Sequence, residues 1–116
     1  MNNIQEILTA IEAASGIAPE AFNSANIQQL PSVSYTLYKQ SDNAVIERWR
    51  LQTRVTAESL EEAMTTNEAI ISALVTLGDE EKFGALRIEI NGGGTLEEPE
   101  TRLPQLLTYY DIQNKS

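Results

Sequence analysis

Cysteine and histidine are both absent from the 116 residues of this chain. Their absence removes thiol nucleophiles, Ser-His-Asp triads, imidazole general bases and the ordinary zinc sites together. Basic residues are scarce: 8 Lys and Arg stand against 17 Asp and Glu, a net charge of −9. A phosphate footprint is built from clustered cations, so this balance argues against tight sequence-independent binding of nucleic acid while leaving room for a local basic patch. Long apolar runs are missing, with nothing approaching the roughly 18 residues a membrane helix needs. The opening Met1-Asn2-Asn3-Ile4-Gln5-Glu6 lacks the positive region and apolar stretch of a signal peptide. The expectation is a soluble chain, intracellular at synthesis, with no membrane partner. What survives is carboxylate chemistry, an oxygen-ligated metal, or no chemistry at all.

The length suits one domain, residues 1–116, with a core that needs no disulfide or metal. Ile4, Ile7, Leu8 and Ile11 fall at i, i+3, i+4 and i+7, which predicts a helix from about Asn3 to Ser15 stopped by Gly16. From Ile17 to Ser32 no period is sustained, and this stretch reads as a connector packing through Phe22, Ile27 and Leu30. The period then becomes two. Val33, Tyr35 and Leu37 alternate with Ser34, Thr36 and Tyr38; after turn residues at Ser41 to Asn43, the run Val45 to Val55 places Trp49, Leu51, Thr53 and Val55 opposite Arg48, Arg50, Gln52 and Arg54. Two strands so joined form an antiparallel hairpin.

Ser59 followed three residues later by Glu62 has the form of a capping box. A long helix is expected behind it, with Leu60, Ala63, Met64, Ile70, Ile71, Leu74 and Leu77 on its buried stripe, Asn67 the one polar residue there, and Gly78 as its C′ stop. Leu86, Ile88 and Ile90 mark a third strand that Gly92, Gly93 and Gly94 should break, leaving a loop from Asn91 to Leu103. A last strand, about Pro104 to Ile112, carries apolar groups on both faces. The order α-β-β-α-β-β therefore predicts an α+β domain: a four-stranded, mainly antiparallel sheet with both helices packed on one face.

Chemistry finds little support. Glu61-Glu62 and Glu97-Glu98 are sequence neighbours, which on a helix point about 100° apart and make poor acid/base partners. The three glycines lack the Lys and Ser/Thr of a phosphate loop, and Asp42-Asn43 lacks the spaced ligands of a calcium loop. No catalytic residue, cofactor site or metal site is assigned, and the chain is not expected to be an enzyme. Arg48, Arg50 and Arg54 are more informative, since three of eight basic residues sit on one strand face of an acidic protein. Two readings stay open. One is a solvated face with cross-strand ion pairs; the other is a docking surface for an acidic partner, such as a second copy presenting Glu61 and Glu68 from the long helix.

The leading helix, the strand Leu30-Pro31-Ser32-Val33-Ser34-Tyr35-Thr36-Leu37-Tyr38, the strand around Arg50-Leu51-Gln52-Thr53-Arg54-Val55-Thr56-Ala57, the helix opening Ser59-Leu60-Glu61-Glu62-Ala63 and the closing Leu106-Leu107-Thr108-Tyr109-Tyr110-Asp111-Ile112 together resemble the phage tail-terminator (tail-completion, head–tail joining) proteins, over about Asn2 to Gln113. The resemblance implies a structural α+β subunit with no catalytic residues. It would form a hexameric ring with copies of itself, cap the tail tube protein, end tube polymerisation and join the head–tail connector protein. It implies a place in the tail or neck of the virion, and in host cytoplasm during assembly, with DNA passing through the ring without tight binding. It also implies that the Asn91 to Leu103 segment, with Gly93 and Glu97, or the turn Ser41 to Ala44, reaches the tube or a neighbour. The alternative from a different class is a small acidic secretion chaperone that binds an extended effector segment as a dimer.

Overall fold

The computed structural model describes residues 4–21, 30–42, 46–80, 86–97 and 101–115. The chain is α+β, with helix α1 (Ile4–Ser15), strands β1 (Glu20–Ala21), β2 (Ser32–Asp42) and β3 (Ile46–Thr56), helix α2 (Leu60–Glu80), and strands β4 (Leu86–Glu97) and β5 (Pro104–Lys115). The strands form one mixed sheet in the order β1-β2-β3-β5-β4. The expected four-stranded sheet is thus corrected to five strands. The addition is β1, two residues inside the predicted connector, which pair parallel with Ser34 and Tyr35 of β2. Two residues are too few to show a period of two, so no sequence pattern marks them. Phe22 and Ile27 of the connector lie outside the described residues, while Leu30 is half-buried.

Local chemistry sets the helix ends. Gly16, at φ +74°, donates its amide to the Glu12 carbonyl at 2.8 Å, and Ser15 Oγ donates to the Ile11 carbonyl at 2.7 Å, so α1 closes where glycine tolerates the left-handed conformation. At the start of α2, Ser59 Oγ accepts the Glu62 amide at 3.2 Å, the first half of the expected capping box. The expected stop at Gly78 is not observed, because α2 runs through it to Glu80. A Cβ at Gly78 would lie 3.1 Å from the Ile88 backbone nitrogen. That glycine lets the helix lie close on β4 rather than ending it.

The three glycines of β4 are corrected in the same sense. β4 continues through them to Glu97, with a register shift between Ile90 and Gly93. The bulge residue Gly92 takes φ +94°, where side chains are disfavoured. The extra residue also switches the alternation: Ile88 and Ile90 lie opposite Ile112 and Tyr110, whereas beyond the bulge Gly93 and Thr95 lie opposite Thr108 and Leu106. The predicted loop shrinks accordingly to the end of the β4–β5 hairpin. Its Glu98 to Glu100 lie outside the described residues, as do positions 43–45 of the β2–β3 turn.

One sheet face carries Val33 of β2, Leu51 and Val55 of β3, Leu86 and Ile88 of β4, and Tyr110 and Ile112 of β5, all buried. α2 lies directly on β5, β4 and β3, burying Ala63, Ile70 and Leu74 against them. α1 packs mainly on α2 and adds Ile7 and Ile11 to the same core. Leu60 and Met64 depart from the expected buried stripe, each being 46% exposed. They stand in the first two turns of α2.

A small polar cluster interrupts this core. Asn67, expected as the one polar residue of the stripe, is buried and accepts a hydrogen bond from Thr108 Oγ1 at 3.3 Å. The Thr53 and Tyr110 hydroxyls are buried near it without a well-formed hydrogen bond among the described residues. Burial pushes the Tyr110 phenol up to about 12, against a smaller opposing effect of the Thr53 and Thr108 hydroxyls. In the unfolded chain a tyrosine ionises near pH 10. Stability from this group is therefore full below about pH 10 and is lost as pH rises through 12, by about 2–3 kcal/mol in all. Urea unfolding followed from pH 7 to 12 should show this fall. Tyr110→Phe should lose that component while costing little at neutral pH, because the hydroxyl contributes no well-formed bond there.

Candidate functional site

The sheet face turned away from the helices carries the arginines. Arg48, Arg50 and Arg54 of β3 share it with Arg87 of β4, and these are four of the eight basic residues in the chain. They come from alternate positions, so β pleating alone puts them on one side. Acid is present among them at Asp111 and Glu89. Asp111 of β5 stands directly between Arg50 on β3 and Glu89 on β4. Its Oδ1 accepts from Arg50 Nε and Nη2, both at 3.3 Å, and its Oδ2 accepts from Asn91 Nδ2 at 2.7 Å. Desolvation works against the Arg50 charge, but hydrogen bonding and Coulomb attraction to Asp111, with a smaller part from Tyr38, outweigh it and leave its pKa raised. Arg50 is thus tied into the sheet, as the cross-strand reading expected. The pair is about one-third exposed on each side, so it is a solvated surface ion pair that orients Arg50 more than it stabilises the fold.

The other arginines differ. Arg48 is exposed, Arg54 is half-buried, and Arg87 makes only a long, exposed contact to Glu89 at 3.7 Å. Glu61 and Glu68 are exposed on α2, on the opposite side of the molecule from the arginines. The structure therefore does not bring the candidate arginines and glutamates together within one chain. It separates them by layer. α1 and α2 carry Glu6, Glu12, Glu61, Glu62, Glu68, Asp79 and Glu80 and not one Lys or Arg. Gly93 and Glu97 lie apart from both groups, on β4 at the sheet edge.

Among the described residues no three acidic side chains gather where a metal ion would be held, and no helix is long and apolar enough to cross a membrane. The groove between α1 and α2, about 580 Å³, is lined by Ala10, Ala13, Ala69, Ala73 and their neighbours without a titratable group. A second depression, about 400 Å³, holds Glu12 as its single carboxylate. Sequence reasoning missed the sheet edges, since neither the β1 pairing nor the continuation of β4 was visible to it. It also missed Asp111, whose partner Arg50 is 61 residues away. The only signal for Asp111 was an acidic residue at an otherwise apolar period. Compared with known proteins, the chain matches no family model and no curated sequence.

Gly93 has a structural duty. A Cβ at this position would collide with the Leu107 carbonyl oxygen of the paired strand, whereas one at Gly94 meets nothing within 4 Å. Gly93→Val should therefore destabilise the fold by about 1–3 kcal/mol in urea unfolding, as overpacking does. Gly94→Ala, at an open position with an ordinary backbone, should stay within about 0.5 kcal/mol.

Proposed function

We propose that this chain is an architectural subunit of the tail-terminator kind: it assembles with copies of itself into a ring, hexameric by the resemblance, that caps a tail tube and docks the head connector. Its place would be the neck of a phage or prophage particle. The observation that carries the reading is the separation of charge between layers. An acidic helix layer backs a sheet whose bare face holds half of the basic residues. A subunit with unlike faces presents different surfaces to different neighbours, as a joining piece between tube and connector must. Carboxylates from the helix layer turned toward a channel would let DNA pass without holding its phosphates. On this reading the arginine face serves an acidic partner in the particle, with the exposed Arg48 more available to it than Arg50.

Native mass spectrometry and negative-stain electron microscopy over a range of protein concentration test the proposal. The expected result is a hexameric ring population that grows with concentration. A two-fold dimer of constant abundance would favour a chaperone instead, and a monomer persisting at the highest concentration reached would remove the ring.

A further inference from the structure

Two arginines of the bare face are not absorbed by the sheet. Arg50 is held by Asp111, and Arg54 is half-buried and already engaged. Arg48 is exposed, and the Arg87 side chain is 67% exposed, its contact to Glu89 a long one at 3.7 Å. These two stand on one level, because Arg48 of β3 and Arg87 of β4 both lie opposite Gln113 of β5. Two strand spacings separate them, about 9.5 Å. On the other layer α2 presents Glu61 and Glu68, both exposed and seven residues apart. Seven residues are close to two helical turns, so the two carboxylates share a helix face with a rise of about 10.5 Å between them. Met64 lies between them and Leu60 beside Glu61, each 46% exposed, the two residues of the expected buried stripe that the fold leaves uncovered. Two carboxylates on the helix layer and two cations on the sheet layer thus have matching spacing.

We infer that the first half of α2 from a second copy of this chain lies across β3, β5 and β4 on the bare face at the level of Gln113, with Glu61 and Glu68 taking Arg48 and Arg87, one each. This inference rests on the ring reading above and names its joint. Charge selects the occupant. Neither helix carries a Lys or Arg, so a helix from another copy brings no cation of its own against the arginines. The carboxylates of the receiving face, Asp111 and Glu89, stand two residues further along their strands, and Asp111 is already taken up by Arg50 and Asn91. The apolar groups fit as well. Met64, between the two carboxylates, would rest on Gln113 and on the methylene stems of the arginines, which cover apolar surface while their guanidinium groups reach the carboxylates. α2 and the arginines occupy opposite layers, so a copy that gives its α2 to one neighbour turns its arginines toward another. Such a contact is heterologous, the kind that closes into a ring when the rotation allows. Half a helix on a sheet face buries less than the roughly 1,200–2,000 Å² of a stable interface, so the joint is weak alone and strengthened by closure.

Charge exchange tests it, read by sedimentation velocity across protein concentration. All four side chains are exposed, so the variants should keep the fold, as urea unfolding would verify. Arg48→Glu with Arg87→Glu should weaken association about tenfold or more, and so should Glu61→Arg with Glu68→Arg. The second pair is the sharper arm, because it lowers the net negative charge and with it the general repulsion between copies. Association should return in the chain carrying all four substitutions. It should return too in an equimolar mixture of the two double variants, where each reversed face meets a reversed helix. Undiminished association of the Glu61→Arg, Glu68→Arg variant, or failure of either restoration, would overturn the joint. If the double variants form the same rings as the unmodified chain, the joint lies elsewhere and the ring reading stands. If the unmodified chain forms no oligomer, both fail.

Discussion

A sheet has two faces and two edges, and the described residues supply two helices to cover them. Both contribute to the same core. α2 lies on β3, β5 and β4 while α1 packs on α2, and the residues they enclose, from Ile7 and Ile11 to Leu74 and Tyr110, form one cluster. Burial of that apolar surface supplies the main drive to fold. The cost of concentrating it on one side is a face of arginines, tyrosines and Asp111 that neither α1 nor α2 covers. Those uncovered surfaces are where the molecule has something to offer another.

The electrostatics follow the same division. Neither helix carries a basic residue, whereas the bare face holds four arginines with Asp111 and Glu89 set among them. Asp111 takes up Arg50 and Asn91, so the face is a cross-linked polar surface more than a row of loose cations. Charges on opposite layers are screened from each other at physiological ionic strength, where the Debye length is about 8 Å. A neighbour therefore meets a local surface and not the net charge of −9.

Much of the fold was legible because it is periodic. Trp49, Leu51, Thr53 and Val55 announced β3, Ile7 and Ile11 the buried side of α1, and Ser59 and Gly16 the helix ends. The misreadings share a physical cause. Glycine reads as punctuation at Gly78 and at Gly92 to Gly94, yet in the fold it permits close approach of α2 to Ile88 and a bulge within β4. A sequence shows that glycine is allowed a rare conformation; it does not show whether the chain uses that freedom to stop or to pack. Leu60 and Met64 fit the apolar period yet remain exposed, since a period names a face without saying how far the opposing element reaches. The arginine stripe was readable from β3 alone. Its answer in Asp111 was not, because strand register across 61 residues decides which side chain stands opposite.

The central claim is that this molecule works by association through surfaces its own helices leave uncovered. Hydrogen exchange read by mass spectrometry at low and high protein concentration addresses it most directly, because an open strand edge gains amide protection only when another strand fills it. The account predicts slower exchange at high concentration in β4, whose residues from Glu89 to Glu97 are exposed, with the core segments of β3 and β5 unchanged. Exchange in β4 that is independent of concentration, up to the highest the protein tolerates, would contradict it.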